Sequence, residues 1–137
     1  MVIVEIAKQE IIPFPSTDDR CEEGAELVFN GRVREYEDGN RIIGLEYEQY
    51  ESMAKFELTK LAKETCKKFP INDLFVKHRI GEVGVGETSL HVAIWSKHRE
   101  EALKAMDWFI FMLKKHVPIW KWAIHEDGTK VPSECTN

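Results

Sequence analysis

Cysteine is scarce and unpatterned. Cys21, Cys66 and Cys135 are the only three in 137 residues, with no CxxC and no Cys/His pair at zinc-finger spacing. That excludes a disulfide-stapled secreted scaffold and fits idle thiols in a reducing compartment. Cys135 lies two residues from the end and makes no prenylation box. No apolar run approaches the ~20 residues that a membrane span needs. The opening Met-Val-Ile-Val-Glu-Ile has neither a basic region nor a small-residue cleavage site, so no secretory signal is read there. Repeats, linkers and low-complexity tracts are also missing. The expectation is a cytoplasmic protein.

What is present is globular. Apolar residues make up 43% and charged residues 31%, with seven Phe, four Trp and three Tyr. A chain of this length buries roughly two-thirds of its extended surface, enough for a core, and is read as one domain over 1–137. The formal charge of −5 argues against a nucleic-acid or anionic-membrane surface. The charge is uneven, however. Between Lys97 and Lys121 six Lys/Arg stand against three acids, so this stretch is +3 and the remainder −8. A basic island on an acidic chain points to a small anionic ligand.

The hydropathy pattern predicts strands at Val2–Ala7, Ala25–Arg34 and Arg41–Tyr47, the last two joined by the turn Glu37-Asp38-Gly39-Asn40. Residues 8–23 read as a loop. Ser52–Phe69 reads as a helix, with Ala54, Leu58, Leu61, Ala62, Thr65 and Phe69 inward, Ser52 as N-cap and Pro70 as stop. Strands at Leu74–Ile80 and Thr88–Trp95 flank the Gly-rich turn GEVGVGE. A second helix over Arg99–Lys115 is expected to bury Leu103, Met106, Phe109/Ile110 and Leu113. Ile119–Ile124 and a short strand from Val131 into a frayed tail complete the chain. The fold class expected is α+β, with helices packed on a mainly antiparallel sheet.

The glycines at 81, 84 and 86 fail both phosphate-loop templates, because no GK[ST] follows and the segment opens no helix. The five histidines show no metal-ligand spacing, so no metal site is expected. Four basic groups remain: Arg32/Arg34 leaving a strand, His98-Arg99 at a strand–helix junction, Lys114 in a last helical turn, and Lys121 after Pro-Ile-Trp. Lys114 complements the negative end of a helix dipole, and Lys121 suits a solvated strand. Arg99 is a cation at a helix start, unfavourable unless a bound phosphate sits at the free N–H groups.

The segments GAELVFNGRVR, LEYEQYESMA, KHRIGEVGVGE, SKHREEA and MLKKHVPIWK resemble, in order and spacing, the catalytic (large) subunit family of molybdopterin synthase. The resemblance runs from Gly24 to about Lys121. It implies an α/β-hammerhead-type fold with a small β subdomain, built as a homodimer. It also implies a sulfurtransferase of molybdenum-cofactor biosynthesis, which installs two sulfurs in cyclic pyranopterin monophosphate as a dithiolene. The sulfur arrives as a thiocarboxylate on the C-terminal Gly-Gly tail of a small ubiquitin-like subunit, in a 2+2 heterotetramer. Carried over by motif, Arg32, Val33, Arg34, His98 and Arg99 hold the substrate, together with Lys114 beside the incoming tail and Lys121, the two catalytic lysines. No cofactor and no metal are implied, since the partner supplies the nucleophile.

Helix geometry adds a constraint. Arg99 and Lys114 are fifteen residues apart on one predicted helix, or roughly 22 Å. One small substrate cannot reach both within a single chain, so a pocket using both is shared between two copies. The chain departs from the family in residues 1–23, where a helix is shortened away, at Trp122 and Ala123, and in the short tail over 125–137 ending VPSECTN. Lys130 is the candidate to replace a tail cation. The alternative readings are a non-catalytic homologue binding a phosphorylated ligand or a ubiquitin-like tail, a dimeric scaffold, and a cysteine-dependent sulfurtransferase.

Overall fold

The computed structural model describes residues 1–14 and 20–133. The loop expected over 15–19, the tail beyond 133 and Cys135 lie outside the described residues. Described in chain order, the elements are β1 (Val2–Ala7), β2 (Ala25–Arg32), β3 (Tyr36–Glu37), β4 (Asn40–Gln49), α1 (Met53–Lys68) and β5 (Asp73–Arg79). They continue as β6 (Gly81–Gly84), β7 (Thr88–Ser96), α2 (Arg99–His116), β8 (Ile119–His125) and β9 (Lys130–Ser133).

Among the described residues the strands form two sheets. The first has the order β1-β5-β7-β2, antiparallel except for the β1/β5 pair. The second has the order β3-β4-β8-β9, with β6 on the other side of β4. The α+β expectation holds. The strands flanking the Gly-rich segment pair antiparallel as expected, but the segment is more than a turn: Gly81–Gly84 is a strand of the second sheet, paired with Gly44–Tyr47. Glycine at 44 makes that pairing fit, because a Cβ there would lie 2.6 Å from the Val83 carbonyl.

Helices α1 and α2 cover one face of the first sheet. Leu58, Leu61 and Ala62 of α1 and Met106, Phe109 and Leu113 of α2 pack on Leu74, Val76, Leu90, Val92 and Ile94. Lys and Glu take the solvent side, as amphipathic spacing requires. Helix α1 ends ahead of Pro70, whose ring disfavours helical backbone at Phe69. Ser52 does sit at its N-cap but at φ 58, and its hydroxyl donates to the Glu51 carbonyl at 2.7 Å in place of the helix amides. Leu103 is not inward as expected. It is 53% exposed, because Ala102 and Ala105 fill the narrow contact with the sheet.

The opposite face of the first sheet is covered by the segment between β1 and β2. Phe14 meets Phe75 at a tilt and stacks on His91, with ring centroids 5.0 and 5.6 Å away. Lys77 donates to the Ile12 carbonyl at 2.7 Å and lies over the Phe14 ring. Arg20 bridges Glu23 and Asp73, both at 2.8 Å, with its guanidinium 3.9 Å from the Trp95 ring centroid. Strand β7 is buried along nearly its whole length because both faces are covered. A smaller core of Val33, Ile42, Leu45, Val83 and Ala123 holds the second sheet together.

Candidate functional site

Where the two sheets meet the end of α2, the chain encloses a cavity of about 240 Å³. Three elements and one connection deliver a cation to it: Arg32 ends β2, Arg34 lies just after it, Lys114 stands in the last turn of α2, and Lys121 lies on β8. Phe29, Leu90, Leu113 and Ile119 give it apolar walls. These cations come from sequence positions up to 89 residues apart.

The exit from β2 is pinned to the Gly-rich turn. Arg32 donates to the Gly86 carbonyl at 2.8 Å. The Val33 N–H donates to the Glu87 carbonyl at 3.1 Å, and the Gly86 N–H donates to the Val33 carbonyl at 2.8 Å. Gly86 has φ +85, a region where glycine is unstrained. Thus the glycines hold a backbone corner that aims two arginines, a role distinct from cradling a phosphate.

Lys121 sits in the middle of a three-strand row. Tyr47 of β4 is its register partner on one side and Ser133 of β9 on the other. Directly paired side chains share a sheet face, so all three line the cavity. Ser133 in turn donates its hydroxyl proton to Glu37 at 2.8 Å, and Arg34 donates to the other Glu37 oxygen at 3.2 Å. Burial alone would raise the Glu37 carboxyl. The Ser133 hydroxyl, the Lys121 cation and Arg34 outweigh it and hold the group below its ordinary value. The lining therefore carries four cations against one ionised carboxylate.

His78 of β5 lines the same cavity and is 6% exposed. Its Nδ1 lies 2.8 Å from the Arg79 carbonyl and its ring meets Tyr47 edge-on at 5.3 Å. Tyr47 donates to Ser89 at 3.1 Å, and Ser89 to the Gly31 carbonyl at 3.3 Å. Burial, with a smaller contribution from the Lys114 cation, pushes the imidazole down to about 4.

The structure brings together Arg32, Arg34, Lys114 and Lys121 of the expected set. It does not bring the others to this cavity. Val33 is 2% exposed, in the core of the second sheet, with both backbone groups bonded as above. His98 and Arg99 stand at the N-terminal end of α2, the length of the helix away from Lys114. Lys130 points from the other face of the sheet, paired with Glu46 at 2.8 Å. Glu37, Tyr47, His78, Ser89 and Ser133 were not read from the sequence. The signal available for His78 was its place in the HRIGE segment; Glu37 and Ser133 meet across 96 residues and left none. Among the described residues no group of His, Cys, Asp and Glu could hold a metal ion, and no helix is long and apolar enough to cross a membrane.

A family model described as MoaE protein matches residues 6–116. A molybdopterin synthase catalytic subunit of Thermoplasma volcanium is 40% identical over 127 residues, covering 91% of this chain and 93% of the relative. The crystal structure of a molybdopterin synthase from Staphylococcus aureus superposes with a TM-score of 0.78 at 36% identity, covering 92% of this chain and 93% of that one. A complex of subunits 1 and 2 of molybdopterin-converting factor from Helicobacter pylori shares the fold, with a TM-score of 0.69 at 24% identity over 96% of this chain and 88% of that one.

Proposed function

The chain belongs to the MoaE protein family, and from that premise we propose that it acts as the catalytic subunit of a molybdopterin synthase. Its reaction is sulfur transfer from the C-terminal thiocarboxylate of a small ubiquitin-like subunit to cyclic pyranopterin monophosphate, forming the dithiolene. The observation that carries this reading is the convergence of Arg32, Arg34, Lys114 and Lys121 on one cavity. Guanidinium groups suit a phosphate because they can donate two parallel hydrogen bonds to it. As the cyclic phosphate opens, negative charge grows on its oxygens, and fixed cations in a partly dehydrated cavity stabilise it. Lys121 is the proton-transfer residue and Lys114 orients the incoming thiocarboxylate. The sulfur nucleophile comes with the partner, so the chain's own cysteines have no part in the step. A two-subunit assembly in the Helicobacter pylori relative is in keeping with such a partner.

A homodimer completes the site. Leu103, Ile110 and Phe111 form a second, outward stripe on α2, which with Val28 of edge strand β2 lines a groove ending at Lys114. Leu103 is 53%, Phe111 61% and Val28 48% exposed. Contiguous apolar surface of this kind is covered in stable proteins. A second copy laid antiparallel along this stripe carries its own His98 and Arg99 to the Lys114 end. A two-fold axis makes that exchange reciprocal. With one small subunit on each half, the assembly is 2+2, and a cytoplasmic site of action accords with it.

The test is reconstitution. The chain is mixed with thiocarboxylated small subunit and cyclic pyranopterin monophosphate, and the fluorescent oxidised derivative of molybdopterin is measured. Product formation is expected. A stable complex with the small subunit and substrate that yields no product would replace this reading with a binding-only one.

A further inference from the structure

At the cavity end of β5 an apolar stripe is continued by a histidine. Leu74 and Val76 are fully buried in the main core. His78 follows on the same strand face, opposite Leu90 of β7. An aliphatic side chain would complete that stripe. An imidazole is there instead, almost wholly buried, with one edge in the cavity lining. A carbonyl can only accept, so the contact with Arg79 O places the ring proton on Nδ1. Nε2, across the ring, is left with a lone pair, and Tyr47 packed edge-on fixes the ring plane.

The other neutral side-chain acceptors of the lining are the hydroxyls of Tyr47, Ser89 and Ser133, each of which also carries a proton that it donates to a neighbour, whereas His78 Nε2 can only accept. Arg32, Arg34, Lys114 and Lys121 can only donate. The two Glu37 oxygens accept from Arg34 and Ser133. A phosphodiester anion carries no proton and needs donors alone, so a neutral acceptor in the wall adds nothing to its binding. We infer that His78 is a specificity-determining residue of this cavity, its Nε2 accepting a hydrogen bond from an N–H of a phosphorylated nitrogen heterocycle. The identity of that heterocycle rests on the proposed function above. The ring's lowered pKa keeps the acceptor available at neutral pH.

The test is calorimetric titration of the full chain with cyclic pyranopterin monophosphate and, separately, with inorganic phosphate. His78→Leu continues the Leu74–Val76 stripe and is expected to keep Tm at neutral pH within a few degrees. It should weaken binding of the pterin by about tenfold or more, as loss of a reader of a ligand N–H does, and leave phosphate affinity within about twofold. His78→Gln, which can set a carbonyl oxygen near the place of Nε2, should recover most of the lost affinity. Undiminished pterin binding by His78→Leu overturns the inference. So does a parallel loss of pterin and phosphate, which would make the residue purely structural. A wild-type chain that takes phosphate but not the pterin refutes the proposed substrate, and this inference with it. That failure appears before any substitution is made.

Discussion

Arg99 opens α2 and Lys114 stands in its last turn, so one helix carries two cations roughly 22 Å apart, of which only Lys114 lines the cavity. The pair can serve one substrate only if Arg99 comes from a second copy. The outward stripe of Leu103, Ile110 and Phe111 lies between them on the same helix, where the proposed second copy would sit.

Subunit complementation follows from this arrangement. Arg99→Ala and Lys121→Ala homodimers should each be nearly inactive. Random exchange between them makes half the dimers mixed, and each mixed dimer holds one intact site of two. About a quarter of wild-type turnover should therefore return on mixing. No recovery, with exchange verified by mass spectrometry, would place Arg99 outside the shared site.

Gly24 guards the corner that carries His98 and Arg99. A Cβ at this position would lie 2.6 Å from the Lys97 carbonyl, and backbone cannot yield as a side-chain tip can. Gly24→Ala should cost about 1–3 kcal/mol in thermal or urea unfolding. It should also raise KM for the pterin several-fold while the Lys114 and Lys121 end of the site is unchanged.

Acid should weaken the fold through His78. Its folded pKa of about 4 lies below the ordinary 6.5, so between those values the unfolded chain binds more protons than the folded one. Stability therefore falls as pH drops from 6.5 to 4, by roughly 3 kcal/mol from this residue. Asp73, held low by the Met1 amine and Arg20 against the opposing effect of burial, adds a loss at still lower pH. Urea unfolding across this range should show a flatter dependence between pH 6.5 and 4 in His78→Leu than in the wild type.

Local pattern made much of the architecture legible. The stripe from Ala54 to Thr65 and the Pro70 stop define α1 within a residue or two, and Arg99 to Lys115 comes within one residue of α2. The four cations of the cavity were legible too, because each stands beside a recognisable break: a strand end, a last helical turn, a Pro-x-Trp. What stayed hidden depends on partners far along the chain. Gly81–Gly84 reads as a turn until β4 pairs with it. Leu103 has an inward period, but the alanines at 102 and 105 bring the helix so close to the sheet that it rotates outward. Val33 reads as part of a basic strand end, yet it is a core residue between two arginines that face the cavity. Glu37 looks like an ordinary turn carboxylate until β9 delivers Ser133 to it. Phe14 and Arg20 look like loop residues until the uncovered face of the first sheet needs them.

Whether this cavity performs sulfur transfer with Lys121 as its proton-transfer residue is decided by a single-turnover comparison of the wild type with Lys121→Ala. Thiocarboxylated small subunit and cyclic pyranopterin monophosphate are supplied in both cases, and complex formation is checked by gel filtration. Product is expected with the wild type, and a loss of about 10²-fold or more with Lys121→Ala, the complex remaining intact. Full turnover by Lys121→Ala would contradict that role.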